Sequence, residues 1–250
     1  MKKKVLITGA SSGFGKAIAE KFASSGDDII ITGRRKHLLE ELKDKLTSLY
    51  NVSVTVLVFD VQDRKSVFQS LENNALLEDL DILVNNAGLA LGRDLFDEAD
   101  IDDWETMIDT NVKGVLYVTK AVLSNFIKRK SGHIINIGST AGKEVYERGN
   151  VYCATKTSIE VLSQAMRIDL LKHKIKVTVI HPGAADTEFS LVRFKGDENK
   201  AQSVYEGYTP LNGHDIADTV FYCANLQAHV CINSLVMTCT AQANSFYLSK

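Results

Sequence analysis

Three residues of the chain have the types and spacing for proton transfer at an alcohol or carbonyl: Ser139, Tyr152 and Lys156. Tyr152 and Lys156 lie four positions apart, about one turn, so on a helix they share a face. A phenol ordinarily loses its proton near pH 10. A cation fixed nearby favours the phenolate and lowers that value. Reaching neutrality takes a shift of roughly three units, on the order of 4 kcal/mol of differential stabilisation. Ser139 follows the strand-like run His133 to Gly138, where its hydroxyl can bond an oxygen held beside the phenol. A Tyr and a Lys at this spacing also occur by chance on solvated helices, so the rest of the chain must decide.

A second group has the chemistry of phosphate binding. Gly9, Gly13 and Gly15 stand between a first apolar run, Lys3 to Thr8, and a periodic stretch from Lys16 to Ser25. Glycines between a strand and a helix permit a tight turn and close approach of a pyrophosphate to the helix N-terminus. The next strand ends in ThrGlyArgArg. An acidic residue there would bond a ribose 2′-hydroxyl and repel a 2′-phosphate. Arg34 and Arg35 stand there instead, and guanidinium groups suit phosphate. The pattern therefore predicts NADP rather than NAD. Asp60, at the end of a third strand, is placed to meet an adenine ring or to cap the helix that follows.

The elements that must position these groups can be read from periodicity. Strands are expected at Lys3–Thr8, Asp28–Thr32, Ser53–Phe59, Asp81–Val84, Gly132–Ile137, Ile175–Ile180 and Cys231–Cys239. Helices are expected at about 16–25, 34–50, 64–77, 102–130, 150–173 and 214–225, with Gly26 ending the first. Strands alternating with helices of this length imply βαβ units, hence an α/β fold with a doubly wound parallel sheet of the Rossmann type. Ligands in such a sheet sit at the carboxyl ends of its strands. Asp60, Asn85–Gly88, Ser139 and Pro182–Gly183 all follow strand ends. The polar stretch 183–210 reads as a long irregular lid.

Composition sets bounds. The chain has 250 residues, 45% hydrophobic and 24% charged, with a net charge of −2. That suits one soluble domain over 1–250 and argues against a nucleic-acid or anionic-membrane surface. The run Lys2–Lys3–Lys4 precedes only a short apolar segment, Val5 to Ile7, too short for a signal peptide or membrane span. Cys153, Cys223, Cys231 and Cys239 lack metal-ligand spacing, so no metal site is expected, and they read as reduced thiols of a cytoplasmic protein.

Taken together, ThrGlyAlaSerSerGlyPheGly, AsnAsnAlaGly at Asn85–Gly88, Asn111, Ser139, TyrxxxLys and Pro182–Gly183 resemble the short-chain dehydrogenase/reductases, in order across nearly the whole chain. Stretches Asn85–Gly92, Asp103–Asn111, His133–Gly142 and Thr187–Asp197 resemble the NADP-dependent 3-hydroxy acid dehydrogenases, the group that includes serine and allo-threonine dehydrogenases. The resemblance implies a catalytic set of Asn111, Ser139, Tyr152 and Lys156. In it Tyr152 is the general acid/base, and Lys156 lowers its pKa and bonds the nicotinamide ribose. Ser139 polarises the substrate oxygen, and Asn111 holds a water joining Lys156 to solvent. Cofactor contacts are implied at Gly9, Ser11, Ser12, Gly13, Phe14, Gly15, Arg34, Arg35, Asp60, Val61, Asn86, Gly88, Tyr152, Lys156, Pro182, Gly183 and Thr187. It also implies a homotetramer joined through the long helices. The chain departs from the group at Cys153, where a glycine is expected, in the charges Lys143, Glu144, Glu147 and Arg148, and in AlaAlaAsp after Gly183.

The expected activity is hydride transfer between NADP and a short 3-hydroxy acid, with substrate contacts at Ser139, Tyr152 and Arg193. A carboxylate wants a cation in the lid, and Arg193 is preferred over Lys195 because its planar fork bonds both oxygens. Two alternatives are reduction of 3-oxoacyl thioesters or bulkier ketones, and a noncatalytic NADP-binding sensor.

Overall fold

The computed structural model describes residues 2–249. Its strands are β1 (Lys4–Thr8), β2 (Asp28–Gly33), β3 (Val54–Val58), β4 (Ile82–Asn85), β5 (Gly132–Ile137), β6 (Ile175–Pro182) and β7 (Ser234–Met237). They form one sheet in the order β3-β2-β1-β4-β5-β6-β7, with every neighbouring pair parallel. The order reverses between β1 and β4, the switch point where ligand crevices open in such sheets. This is the doubly wound α/β fold that the alternation predicts.

The sheet is buried on both faces, so its strands are near-continuous apolar runs. Alternate residues go to opposite sides. Val5 and Ile7 pack under α1 (Gly13–Ser24), α2 (Lys36–Leu49) and α9 (Gly213–Ala224). Leu6 packs on the other side, under α3 (Arg64–Leu71) and α5 (Val115–Arg129). The helix α6 (Asn150–Leu170) covers that second face beside α5, with Ile159 against Val115 and Val179.

Four elements differ from the sequence reading. The third helix stops at Leu71 rather than Leu77, because Glu72 is extended and Asn73 is left-handed at φ 54°, after which Asn74 caps a 3₁₀ turn. The helix expected over 102–130 is α4 (Ile101–Ile108) and α5 joined by a π-turn, Asp109–Gly114. At that joint a Cβ on Gly114 would lie 2.9 Å from Val61 Cγ2, so only glycine lets the helix approach the β3 end. The segment 183–210 is not irregular throughout: it carries α7 (Glu188–Arg193) and α8 (Glu198–Ser203), capped by Thr187 and Asp197. The last strand is shorter than the run Cys231–Cys239 suggests. Among the described residues no helix is long and apolar enough to cross a membrane.

Candidate active site

A cleft of about 1410 Å³ opens across the carboxyl ends of the strands. At one end is the glycine turn. Gly9 and Gly13 have positive φ, 66° and 51°, which glycine adopts without strain. Asn86 stitches this turn to the β4 end, donating through Nδ2 to Thr8 O and Gly9 O. Gly9, Ser11, Ser12, Gly13 and Phe14 line the cleft with Arg34, Arg35, Asp60 and Val61. Gly15 does not line it, contrary to the sequence expectation. It is buried, and a Cβ there would lie 2.4 Å from Gly9 O, so its role is to let α1 pack against the turn.

The two arginines are held differently. Arg35 donates to Ser11 Oγ and to Ser12 Oγ, the latter at 2.7 Å, and reaches Glu188 on α7 at 3.1 Å. Arg34 is more exposed and lies 3.6 Å from Asp60 Oδ2. Asp60 also accepts from Gln62 N through Oδ1, as its own local turn.

At the centre, α6 carries Tyr152 and Lys156 into the cleft wall, both nearly buried. Lys156 Nζ donates to Ile137 O, the last carbonyl of β5, at 3.0 Å. Burial brings this ammonium down from its usual range to about 8. It lies 6.0 Å from the Tyr152 ring centroid. Ser139 leaves β5 in an extended conformation and its Oγ accepts from Ala141 N, which keeps its own O–H free to donate.

The expected lowering of the Tyr152 pKa by Lys156 is not what the geometry produces. Burial pushes the phenol well above its ordinary value, and the Ser139 hydroxyl and Arg193 charge offset this only in part. Desolvation outweighs a neighbouring charge when the group is this deep.

Asn111 also differs from expectation. It sits in the π-turn and does not line the cleft. Its Oδ1 accepts from Leu89 N, and its Nδ2 donates to Leu89 O and Thr155 Oγ1. Both amide donors are thus committed to holding the β4 loop against α6. Gly88 is what allows this packing: a Cβ there would lie 3.2 Å from Asn111 Oδ1 and 3.4 Å from Lys156 Nζ.

The far end of the cleft is walled by the segment 183–210. Arg193, on α7, lies 5.6 Å from the Tyr152 ring centroid and donates to Tyr146 Oη at 3.2 Å. Its backbone and side chain both bond Gly92, through Gly92 N to Arg193 O and Arg193 Nε to Gly92 O. Lys195, also in the cleft wall, pairs with Asp103 at 2.9 Å. Pro182, Gly183 and Thr187 line the cleft between the two ends.

Of the loop charges, Lys143 pairs with Glu160 and Glu144 accepts from Ser245 N, so both serve packing. Cys153 is buried under Gly149 and Tyr146 rather than facing the cleft. Sequence reasoning missed Tyr146, Phe189 and the tail residues Gln242, Ser245, Phe246 and Leu248, all in the cleft wall. Gln242 Oε1 accepts from Ala184 N at 2.8 Å, and a Cβ on Gly183 would overlap it. The tail has no periodicity to reveal it. Tyr146 was legible only as an aromatic among charges.

The family model for short chain dehydrogenase matches residues 3–197. The chain belongs to that family. Among curated relatives of this short-chain dehydrogenase, NADP-dependent 3-hydroxy acid dehydrogenase YdfG of Salmonella typhi is 47% identical over 241 residues, covering 96% of each chain. Sulfoacetaldehyde reductase 2 of Chromohalobacter salexigens is 43% identical over 245 residues, covering 97% of this chain and 96% of its own. Among solved structures, the closed form of a serine dehydrogenase complexed with NADP⁺ superposes with a TM-score of 0.91 at 46% identity, covering 97% of each chain.

The buried ammonium has a measurable consequence. A Lys whose folded pKa is depressed to about 8 disfavours folding while it is charged. Between about pH 8 and pH 10.4 the unfolded chain binds more protons than the folded one, so stability rises with pH. Urea titrations of Lys156→Met and wild type should therefore show the difference moving in favour of wild type as pH is raised from 8 to 10. A difference constant over that window would mean that Lys156 titrates normally.

Proposed function

We propose that this short-chain dehydrogenase passes a hydride between NADP and the carbinol or carbonyl carbon of a short 3-hydroxy acid of the serine, allo-threonine or 3-hydroxypropanoate type. The observation that carries the substrate class is Arg193, a guanidinium placed over the phenol of Tyr152 in the cleft. The names of the relatives point the same way.

The nucleotide end fits a dinucleotide carrying a 2′-phosphate. A Cβ on Gly9 would meet Ala87 Cα at 2.9 Å, so glycine lets the turn pack against the β4 loop and sit at the α1 N-terminus, where a pyrophosphate is favoured. No carboxylate ends β2, and Arg34 and Arg35 stand there. Ser11, Ser12, Gly13 and Phe14 would hold the pyrophosphate, Asp60 and Val61 the adenine, and Asn86 and Gly88 the neighbouring ribose. Lys156 and Tyr152 would bond the nicotinamide ribose, with Pro182, Gly183 and Thr187 beside the ring. When bound, NADP supplies or accepts the hydride.

The chain's own residues do the rest. Ser139 donates its O–H to the substrate oxygen. Tyr152 gives its proton to that oxygen in reduction and takes it back in oxidation. Arg193 receives the carboxylate in a partly desolvated lid, where an acid needs a cationic partner. Residues 183–210 act as the lid of a single domain. A homotetramer is part of the same reading, supported by the apolar residues Leu116, Val161, Ile168 and Leu171 exposed on or beside α5 and α6. A cytoplasmic setting accords with four free thiols.

Tyr152→Phe removes the acid/base and leaves α6 intact. Turnover of L-serine or L-allo-threonine with NADP should fall at least about a hundredfold while NADPH titration shows unchanged binding. Near-normal turnover in the purified variant would rule out the role. For the cofactor, Arg34→Ala with Arg35→Ala should weaken NADP binding at least about tenfold and leave NAD nearly unaffected, since each charge-assisted bond contributes about 1.5–3 kcal/mol. A parallel loss for both nucleotides would show that these arginines do not read the phosphate.

Arg193→Ala tests the substrate class. KM for a 3-hydroxy acid should rise strongly and kcat fall less, because the carboxylate is bound alike in ground and transition states. The methyl ester of the same acid should be nearly insensitive. Equal losses for acid and ester would reduce Arg193 to a lid residue and favour the bulkier-ketone reading.

A further inference from the structure

Behind the Ser139 backbone lies a buried group that neither the fold nor the hydride transfer calls for. His181, on β6 immediately before Pro182, is fully buried. Its Nδ1 lies 2.9 Å from Ser139 O and 3.4 Å from Ser139 N. Its Nε2 lies 2.7 Å from Glu160 Oε2. Glu160 sits on α6, one turn beyond Lys156. The imidazole therefore spans the two elements that carry the reacting groups: the β5 end with Ser139, and α6 with Tyr152 and Lys156.

The surroundings are built for this side chain. A Cβ on Gly138 would lie 2.6 Å from His181 Nδ1, so glycine at that position makes the space. Gly138 N donates to Ile180 O at 2.7 Å, which brings the β5 and β6 ends together at this point. Glu160 is itself fixed from every side. Gln164 Nε2 donates to Oε1, while Lys143 and Ser234 Oγ reach Oε2 with His181. Burial alone would raise the Glu160 carboxyl, but these partners hold it down at about 2, so it is an anion at working pH. Burial pulls His181 below its ordinary range, against the lift from its bonds to Ser139 and Glu160. The Ser139 carbonyl at 2.9 Å and the Glu160 carboxylate at 2.7 Å are both acceptors, so Nδ1–H donates to Ser139 O and Nε2–H to Glu160, and the 3.4 Å approach of Ser139 N is secondary.

We propose that His181, anchored by Glu160, is a positioning residue that fixes the Ser139 backbone and so the separation between the Ser139 hydroxyl and the Tyr152 phenol. It touches neither cofactor nor substrate and acts only through Ser139. The inference rests on Ser139 as the group that polarises the substrate oxygen. Misplacing a reacting group by about 1 Å can cost on the order of a hundredfold in rate, which is ample leverage for one hydrogen-bonded brace.

The two ring nitrogens can be tested separately. Asparagine at 181 places an amide atom near the Nδ1 position and loses the contact with Glu160. Glutamine reaches towards Glu160 and loses the contact with Ser139. Steady-state kinetics with L-serine and NADP, NADPH titration and thermal unfolding would be measured for His181→Ala, His181→Asn, His181→Gln, Ser139→Ala and the double variant Ser139→Ala/His181→Ala. We expect His181→Ala to lower kcat at least about tenfold with NADPH affinity unchanged. His181→Asn should recover more of kcat than His181→Gln, whatever their order in Tm. In the Ser139→Ala background, adding His181→Ala should change kcat less than twofold, the non-additivity expected of residues acting as one unit.

Equal multiplicative losses in the two backgrounds would overturn the proposal, as would kcat values that merely follow Tm. Near-normal kcat for folded His181→Ala would overturn it as well. Ser139→Ala with near-normal activity would instead overturn the role of Ser139 itself, which separates failure of the underlying reading from failure of this one.

Discussion

The structure depends most on a buried ammonium. Lys156 is 6% exposed and, among the described residues, bonds the Ile137 carbonyl at the end of β5. Taking a charged amine out of water costs several kcal/mol unless partners replace the lost hydration. Its depressed pKa is the visible sign of that cost. The surrounding features follow from accommodating it. A Cβ on Gly88 would press on Asn111 Oδ1 at 3.2 Å and reach ordinary contact with the ammonium at 3.4 Å. The π-turn at Asp109–Gly114 swings Asn111 towards the β4 loop and Thr155, which fixes α6 in place. A wide turn in a long helix is a costly local geometry, and such turns concentrate at functional sites. Stability is given up around Lys156 to hold a cation in the cleft wall beside the phenol of Tyr152.

Much of this was legible in the sequence because each feature rests on a local rule. The sheet follows from β-branched runs such as Ile29–Ile31 alternating with helical periodicity. The phosphate end follows from glycines placed where a strand turns into a helix and from the absence of an acid after Thr32–Gly33. Every strand-end motif named from the sequence does reach one cleft, since parallel strands bring their carboxyl ends to one edge. The features that were not legible are those decided by distance through space. No rule of spacing links Gly15 to Gly9 O, His181 to Glu160, or Gln242 to Ala184. The π-turn likewise leaves apolar periodicity almost unchanged.

The direction of the Tyr152 shift shows the same limit in energetic form. From sequence, a Lys one turn away is the only visible influence, and it lowers the phenol pKa. In the fold the larger influence is the apolar packing of Leu89, Ala90, Met107, Ala141 and Phe189 around the ring. Burial is not a property of the Tyr–Lys spacing, so its sign could not be read there.

The segment carrying α7 is held to the rest of the chain by contacts of two arginines, Arg35 and Arg193. At one end Arg35 joins α7 through Glu188, and both side chains are about half exposed. An exposed pair of this kind is worth about 0–1 kcal/mol, so a phosphate bonded by the same guanidinium can displace it at little cost. At the other end Arg193 donates to the Gly92 carbonyl and the Tyr146 hydroxyl, both neutral acceptors. Those bonds are charge-assisted from the guanidinium side alone, and a carboxylate would add an anionic acceptor with bidentate geometry. The α7 helix thus lies between two guanidinium contacts, one reaching it from the start of α2 and one made by its own last residue. On the proposed reading a phosphate would draw Arg35 away from Glu188 and loosen that end of α7, while a carboxylate held by Arg193 would tie the other end to the substrate.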